Sequence, residues 1–209
     1  MHWSWQKKDR GNGGAKWNSK TLDWLVKHTV IIHTKDKNQI LLRRLEVSDY
    51  TKLIDYLDWL SFETKNRFGP HPYDEKTLID LFGNPSGHSG YLAIDLQTSD
   101  IVAYSIIKQG ILEHDRHRLR SYQLNLNDAT YCTWAPSVAD LWQGKGIGTA
   151  LFHFILKDLI RSTIKSVVLW GGVQKKNHTA VNYYLSNNFR ILGEFDHYGI
   201  NYDMILEIS

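Results

Sequence analysis

Three glycines lie within five positions of the sequence QGKGIGTALF, at Gly144, Gly146 and Gly148, directly before an apolar run. Glycine has no Cβ, so such a cluster indicates a tight turn or a stretch of backbone that a ligand approaches closely. The helix that this run predicts would begin with unpaired N–H groups at the positive end of its dipole. The chemistry that these features favour is the binding of an anion, most commonly a phosphate.

The spacing of the glycines disfavours the two commonest nucleotide-binding motifs. A dinucleotide fingerprint follows the pattern G-x-G-x-x-G, but counting from Gly144 the last position is Thr149. A P-loop requires Gly-Lys followed by Ser or Thr, whereas Lys145 is followed by Gly146. Two alternatives remain at this point: a phosphate of another kind, or a tight strand-to-helix turn that holds no ligand.

Residues 143–148, with the sequence QGKGIG, resemble the Q/R-x-x-G-x-G/A signature of the GNAT superfamily of acyl-CoA-dependent N-acyltransferases. A second stretch resembles the N-x-x-A-x-x-x-Y-x-x-x-G-F pattern of the same family. Its matching residues are Asn177, Ala180, Tyr184 and Phe189, with Asn188 where Gly is usual. Asn tolerates the left-handed conformation that ends a helix. Two motifs at correct spacing favour a ligand site over a bare turn, and the resemblance covers about residues 40–208.

The resemblance implies that acetyl-CoA is the co-substrate and that its pyrophosphate lies on the N–H groups of the glycine loop. Val138, five residues before Gln143, matches the strand position whose backbone N–H holds the thioester carbonyl and acts as an oxyanion donor. Asn177 would bond the pantetheine arm, although it could equally cap its own helix. The implied cofactor-binding residues are Val138, Gln143, Gly144, Lys145, Gly146, Ile147, Gly148, Thr149 and Asn177.

The resemblance also implies that an amine attacks the thioester directly, without an enzyme nucleophile. Tyr184 matches the family's general acid, because a neutral phenol can protonate or stabilise the departing thiolate. The alternative for Tyr184 is a buried aromatic on the core face of its helix. Cys132 stands where some branches carry a glutamate base, and we expect a small buried apolar group there. We expect Asp140 to organise the turn and the ammonium proton to leave through water.

The composition of the chain suits a single globular domain with an extension, since 42% of its 209 residues are hydrophobic and 22% are charged. One cysteine rules out an internal disulfide and fits a reducing cytoplasm. No apolar run approaches the ~20 residues that span a bilayer, and the N-terminal sequence lacks the apolar region of a secretory signal. The net charge of +3 resides in residues 1–20, which carry +4, so a nucleic-acid surface is disfavoured.

The predicted strands and helices that would position these residues alternate in an order that indicates an α/β (α+β) fold. The resemblance implies a GNAT-like fold, in which a central mixed and mostly antiparallel sheet has splayed fourth and fifth strands and is flanked by helices. The patterning predicts a hairpin over residues 29–45, a helix capped by Ser48, a loop over residues 62–74 and a helix capped by Asp74. Pro136 interrupts the strand before the glycine loop and indicates an edge or a bulge.

The chain divides into two parts by composition. Residues 1–20 predict a basic, mobile extension, although its three tryptophans could instead dock it on the body or a partner. Residues 21–209 predict a single GNAT-like acetyltransferase domain. Within it, the loop from Arg67 to Pro72 either contacts the acceptor or forms a rigid turn, and His114 and His117 are expected on the surface.

The sequence therefore predicts an N-acetyltransferase that transfers the acetyl group of acetyl-CoA to a primary amine of an unidentified acceptor, a small molecule rather than a protein. The alternative from another class is a CoA-binding regulatory or interaction module without turnover. We expect no metal, no nucleic acid and no membrane partner, and a cytoplasmic location. The sequence leaves a homodimer open.

Overall fold

The computed structural model describes residues 29–83 and 87–208, and the strands within them form one nine-stranded sheet. The strands are β1 (Thr29–His33), β2 (Gln39–Arg44), β3 (His88–Asp95), β4 (Ile101–Gln109), β5 (Tyr131–Val138), β6 (Ser166–Leu169), β7 (Val173–Gln174), β8 (Arg190–Asp196) and β9 (Ile200–Glu207). The extension predicted for residues 1–20, with Trp3, Trp5 and Trp17, lies outside the described residues, so its mobility or docking stays a prediction.

Six α-helices accompany the sheet in the same described residues. They are α1 (Tyr50–Trp59), α2 (Phe62–Arg67), α3 (Glu75–Phe82), α4 (Glu113–Arg120), α5 (Ile147–Ile160) and α6 (His178–Ser186). α3 begins as predicted, because Oδ1 of Asp74 accepts a hydrogen bond from the N–H of Thr77 at 2.9 Å and so caps the helix.

Two predictions about the first helices are wrong. Ser48 does not cap α1, because it lies inside a 3-10 turn whose capping box joins Glu46 and Asp49. The predicted loop over residues 62–74 contains α2, which Ser61 caps by accepting a hydrogen bond from the N–H of Thr64. The prolines that indicate a loop follow only after this helix has ended.

The sequence pattern gives no sign of α4, because its residues EHDRHRLR are almost entirely polar. Polar contacts hold it instead: the guanidinium of Arg118 binds the carboxylates of Asp115 and Asp203, each at 2.7 Å. Both carboxylates are buried, and a buried carboxylate requires such a partner. The interactions that stabilise α4 therefore lie outside the periodicity from which helices are predicted.

The strands follow the order β1-β2-β3-β4-β5-β6-β9, and β7 and β8 each pair with β9. The pairings are antiparallel except that of β5 with β6. Parallel neighbours need a crossover connection, and α5 provides it. This mixed, mostly antiparallel sheet flanked by helices confirms the predicted fold class, and β1 with β2 confirms the predicted hairpin.

β5 and β6 separate halfway along β5. Their paired register ends where Trp134 lies opposite Leu169, whereas β5 continues to Val138 beside β4 alone. We call the gap beyond this last pair the splay. The strand that carries Val138, which the resemblance counts as the fourth, is β5 here, so the expected splay of strands four and five is the gap between β5 and β6.

β5 is an interior strand, and its register with β4 runs through Pro136 without a shift, so neither the predicted edge position nor the predicted bulge occurs. Pro136 is nevertheless tolerated. Its nitrogen, which has no hydrogen to donate, faces the splay, where β6 is no longer paired with β5 and no ladder hydrogen bond is needed.

Two hydrophobic clusters cover the two faces of the sheet. α5 and α6 pack on the face that we call the α5 face, with Trp134 and Phe152 in its core. α1 and α3 pack on the opposite face, the α1 face, where Tyr104 and Ala135 are buried. The adjacent β5 residues Trp134 and Ala135 point into different clusters, as the alternation of a strand requires. The splay therefore opens between two helical layers.

Candidate active site

The glycine loop between β5 and α5 has a backbone that only glycine adopts readily. Gly144 has a φ of 72° and Gly146 a φ of 83°, both in the left-handed region. A Cβ added to either residue would meet no atom within 4 Å. The space beside both glycines is therefore open, and a ligand can approach the backbone directly.

The start of α5 presents backbone donors at this open loop. Gly146 is the N-cap and provides no side-chain cap, and the helical hydrogen bonds begin with the N–H of Ala150 donating to the carbonyl of Gly146 at 3.0 Å. The N–H groups of Ile147, Gly148 and Thr149 precede that bond and belong to the donors that a helix leaves unpaired. Since the side chain of Ile147 is buried in the core, that residue can offer a ligand only its backbone.

Gly148 differs from the two glycines before it. A Cβ there would lie 3.4 Å from Cγ2 of Val138 and 3.7 Å from the ring of Tyr183, which are ordinary or nearly ordinary contacts. The carbonyl of Gly148 accepts a hydrogen bond from the Tyr183 hydroxyl at 3.0 Å. Gly148 therefore lies where β5, α5 and α6 meet, and the structure explains why an alanine fits the last position of the G/A signature.

The two long side chains of the loop turn in different directions. Nε2 of Gln143 donates to the carbonyl of Val138 at 3.1 Å, which closes the loop onto the end of β5. Nζ of Lys145 instead forms an ion pair at 3.0 Å with Asp36, in the turn between β1 and β2, and lies 5.1 Å from the ring centre of Trp142. Of these two predicted cofactor residues, Gln143 shapes the loop and Lys145 carries a charge beside it.

The backbone N–H of Val138 points into the splay. The N–H of Ala139 donates to the carbonyl of Val102 on β4 at 2.9 Å, so the neighbouring Val138 faces the other side of the strand. The carbonyl of Trp134, four residues earlier and on the same side as Val138, accepts from the N–H of Trp170 at 2.9 Å. The paired register with β6 ends at Trp134, so Val138 directs its donor beyond the reach of that ladder.

Asp140 joins the loop to the tip of α1 and α2, which supports its interpretation as a structural residue of the turn. Its carboxylate accepts hydrogen bonds from Oγ of Ser61 at 2.9 Å, from the N–H of Ser61 at 3.1 Å and from Oγ1 of Thr64 at 2.7 Å. Burial favours a raised pKa for Asp140, but the hydrogen bonds from Thr64 and Ser61 outweigh it, and the pKa lies below its usual value. The group is an ionised anchor at neutral pH.

Both asparagines of the second motif have local structural roles. Oδ1 of Asn177 accepts from the N–H of Ala180 at 3.2 Å and caps α6, so the capping alternative is realised. A contact with a ligand through the rest of that amide stays a prediction. Asn188 has a φ of 65°, which confirms that Asn takes the left-handed conformation where the family usually has Gly.

Tyr184 is buried on the α5 face among aromatic rings. Its ring packs edge-on against Trp134 at 5.8 Å, against Tyr183 at 5.3 Å and against Phe189 at 5.5 Å between centroids. Burial raises the pKa of its hydroxyl well above the ordinary value. Tyr184 therefore keeps its proton at neutral pH, which suits a general acid and equally suits a packing residue.

Cys132 has the environment of an apolar core group. It is fully buried in the cluster of the α5 face, and burial raises the pKa of its thiol to about 12. A thiol in that state is not a nucleophile at neutral pH. The structure thus supports the interpretation of Cys132 as a small buried residue.

The loop from Arg67 to Pro72 is anchored to the core. Nδ1 of His71 lies 2.7 Å from the carbonyl of Pro72, so this nitrogen carries the proton, and Nε2 accepts from the Tyr104 hydroxyl at 3.0 Å. Burial lowers the pKa of His71 and keeps the ring neutral. The Tyr73 hydroxyl donates to the carbonyl of Phe68 at 2.5 Å. These contacts favour the rigid-turn alternative for the loop.

Sequence reasoning missed a pair of buried hydroxyls on the α1 face. Oη of Tyr56 on α1 lies 3.0 Å from Oγ of Ser137, the residue directly before Val138. Oγ of Ser137 in turn donates to the carbonyl of Tyr104 at 3.3 Å. Tyr56 fits the apolar stripe of α1, and Ser137 is an unremarkable strand residue, so neither position carries a sequence signal for this contact.

The described residues contain neither a metal-binding cluster nor a membrane-spanning helix. No group of three or more His, Cys, Asp or Glu side chains there is arranged to hold a metal ion, and His114 has an exposed side chain near Asp115. No helix in the described ranges is long and apolar enough to cross a membrane.

Comparison with known proteins finds similarity to acetyltransferases in sequence and in fold. The sequence model of the Acetyltransferase (GNAT) family matches residues 53–189. Among solved structures, the GNAT domain of S. lividans PAT is similar, with 16% identity, a TM-score of 0.69 and coverage of 86% of this chain and 97% of that one.

Two other solved structures share the fold at a similar level. An acetyltransferase of the GNAT family from Streptococcus pneumoniae has 18% identity and a TM-score of 0.60, covering 81% of this chain and 99% of that one. A spermidine N-acetyltransferase chimera from Vibrio cholerae and hSSAT has 17% identity and a TM-score of 0.58, covering 80% and 95%. No curated protein sequence matches the chain significantly.

Proposed function

We propose that this chain, which belongs to the GNAT family of acetyltransferases, transfers the acetyl group of acetyl-CoA to a primary amine of a small molecule. The observation that carries the proposal is the direction of the Val138 N–H. It points into the splay directly beside the open start of α5. A donor for a thioester oxygen and a set of donors for a pyrophosphate thus lie at the same end of the sheet.

The pyrophosphate of acetyl-CoA fits the glycine loop. Open space beside Gly144 and Gly146 admits an anion to the backbone, and the N-terminus of α5 offers donors and a positive dipole end. Lys145 adds a positive charge that is at present paired with Asp36. We infer that a phosphate would compete with Asp36 for this ammonium group.

The thioester oxygen would accept the hydrogen bond from the Val138 N–H. As the amine attacks, negative charge builds on that oxygen, and a fixed backbone donor stabilises the charge without reorganisation. Gln143 holds the carbonyl of the same residue at 3.1 Å, which fixes the orientation of the peptide units around Val138. The chain supplies this contribution through backbone alone, so the identity of side chain 138 matters mainly for packing.

Tyr184 would act as the donor to the departing thiolate. Its hydroxyl is protonated at neutral pH, as any phenol is, and because burial raises its pKa further, it would stabilise the thiolate through a hydrogen bond more readily than through complete proton transfer. We assign no general base among the described residues: Cys132 keeps its proton, and Asp140 is occupied by Ser61 and Thr64. The amine proton would leave through water.

The proposed compartment rests on the cysteine content, and the choice of acceptors to test rests on a similar structure. A single buried thiol suits the reducing cytoplasm, and we propose that the enzyme acts there. The spermidine enzyme among the similar structures makes polyamines one class worth testing, although identity at that level shows only the shared fold.

The test is a screen of acetyl-CoA consumption across amino sugars, polyamines, aminoglycosides, amino acids and peptides with free N-termini. A melting curve with and without CoA accompanies it. We expect a rise in melting temperature with CoA and turnover with at least one small amine. Binding without turnover of any amine would instead indicate a non-catalytic CoA-binding module, and turnover of peptides alone would contradict a small-molecule acceptor.

A further inference from the structure

The hydroxyl pair of Tyr56 and Ser137 lies at the reaction centre that the proposed function requires, but on the opposite face from the cofactor. Ser137 directly precedes Val138, so its side chain is within one residue of the proposed oxyanion donor. Alternation along β5 points it to the α1 face, beside Tyr104 and Tyr56. If the cofactor enters the splay from the α5 face, the α1 face, where this pair lies, is the side left for the amine.

The donor roles within the pair are fixed by their partners. A carbonyl oxygen only accepts, so the proton of Ser137 is directed to the carbonyl of Tyr104 at 3.3 Å. Tyr56 must therefore donate its own proton to Oγ of Ser137 at 3.0 Å. The backbone of Tyr104 also lies within hydrogen-bond reach of the phenolic oxygen, and an oxygen that has donated its proton can accept more than one hydrogen bond through its lone pairs. The pair thus offers an oriented acceptor, which is what an N–H of a neutral amine requires.

The same geometry excludes a role as general base for these two hydroxyls and leaves a role in positioning the amine. The hydrogen-bond chain runs from Tyr56 through Ser137 and ends at a backbone carbonyl, which takes up no proton. Burial also raises the pKa of Tyr56 far above neutrality, so its phenolate is not formed. Neither hydroxyl can therefore remove a proton from the substrate.

We propose that Tyr56, held by Ser137, accepts a hydrogen bond from the attacking amine and orients its lone pair toward the thioester carbon. This inference rests on the proposed acetyl transfer and adds a positioning residue on the acceptor side. No bond to Tyr56 forms or breaks: the amine nitrogen bonds to the acyl carbon, the carbon–sulfur bond breaks, and the amine proton goes to water.

The experiment compares Tyr56→Phe with a matched control, Tyr50→Phe, well below the melting temperature of each variant. Tyr50 is also buried on α1, where it packs against Phe82 rather than at the end of β5. The acceptors are the best amine of the screen and hydroxylamine, a small nucleophile that is largely neutral at neutral pH and needs no shaped pocket.

We expect Tyr56→Phe to lower kcat/KM for both nucleophiles about tenfold, the scale of one hydrogen bond, with KM for acetyl-CoA within twofold of wild type. Tyr50→Phe should leave all three values within twofold. Ser137→Ala, which removes the acceptor that orients Tyr56, should lower kcat/KM and add little to Tyr56→Phe in the double variant.

The alternative is that the pair only holds α1 on β5. In that case Tyr56→Phe lowers the melting temperature but leaves kcat/KM for the amines unchanged relative to Tyr50→Phe, and the inference is wrong. A wild-type protein that binds CoA and acetylates neither nucleophile would instead refute the proposed function, and this inference with it.

Discussion

The two sides of the splay are built from different kinds of groups. On the α5 face, the groups that suit the cofactor are backbone N–H donors at the start of α5 and at Val138. On the α1 face, the groups nearest the same strand end are side chains, the hydroxyls of Tyr56 and Ser137. Backbone donors recognise a phosphate or a carbonyl whatever the rest of the ligand is, whereas side chains determine which acceptor fits. On the proposed function, the side that takes the cofactor would therefore be built from general backbone donors, and the side that takes the acceptor would depend on particular side chains.

The largest effect should come from filling the open space on the cofactor side. Gly146→Val places a β-branched side chain at a φ of 83°, beside the start of α5, and should abolish the rise in melting temperature caused by CoA. A ligand that binds only the folded state stabilises it by about 2.7 kcal/mol at a hundredfold excess over its Kd, so the lost shift is easily measured by differential scanning fluorimetry.

Gly199→Val is the control for backbone strain. Gly199 also has a positive φ, 112°, with open space around it, but it lies in the turn between β8 and β9. It should lower the melting temperature of the free protein while retaining the CoA shift. Equal loss of the shift in both variants would show that the effect is strain rather than a blocked anion site.

A second prediction sharpens the chemistry on the cofactor side. Tyr184→Phe should lower kcat roughly 10²–10⁴-fold with little change in KM for acetyl-CoA, because the hydroxyl acts only as the thiolate departs. The deficit should shrink with an acetyl thioester whose thiol is more acidic, since that leaving group needs less protonation. A change in kcat below about threefold, when chemistry limits turnover, would make Tyr184 a packing residue.

Sequence predicts those features of the site whose residues lie close together along the chain. The cofactor side depends on glycines within five positions and on a helix end, and the left-handed Asn188 was predictable for the same local reason. The contact between Tyr56 and Ser137 joins residues 81 positions apart, and only the folded sheet brings them together.

Even local predictions failed where two capping arrangements compete. Ser48 is a good cap by residue type, but the reciprocal hydrogen bonds of Glu46 and Asp49 place the helix start differently. α4 was not predicted, because the contacts that hold it are buried ion pairs of Arg118 with Asp115 and Asp203. A hydrophobic period carries no information about such a network.

Cys132→Ala tests whether the core of the α5 face takes part in the chemistry. We expect most of the activity to remain and the free energy of unfolding to fall by about 1–2 kcal/mol, because a small buried group is removed. Urea denaturation measures the stability and the acetyl-CoA assay the rate. An acetyl group trapped on Cys132 during turnover, with a folded but inactive alanine variant, would instead establish a two-step mechanism.

The smallest effect concerns Asp140, which ties the two sides together. Its pKa is lowered in the folded state, so its contribution to stability is present above the unfolded value near 4 and is lost as pH falls through the folded value. Because the group is largely exposed, Asp140→Ala should lower the free energy of unfolding by no more than about 1 kcal/mol at pH 7. The difference from wild type should shrink below about pH 4. A difference that stays constant with pH would assign the effect to something other than the ionised carboxylate.

The most direct test of the account observes the backbone N–H of Val138 itself. A protein labelled with ¹⁵N-valine and ¹⁵N-glycine, with the Val138 signal assigned through Val138→Ile, is titrated with CoA and with a ketone analogue of acetyl-CoA in which a methylene group replaces the sulfur. We expect CoA to perturb the glycine loop but only the carbonyl-bearing analogue to move the Val138 amide proton strongly downfield, as a new hydrogen bond requires. A Val138 signal that responds identically to both ligands, or to neither while CoA binds, would contradict the assignment of this N–H as the oxyanion donor.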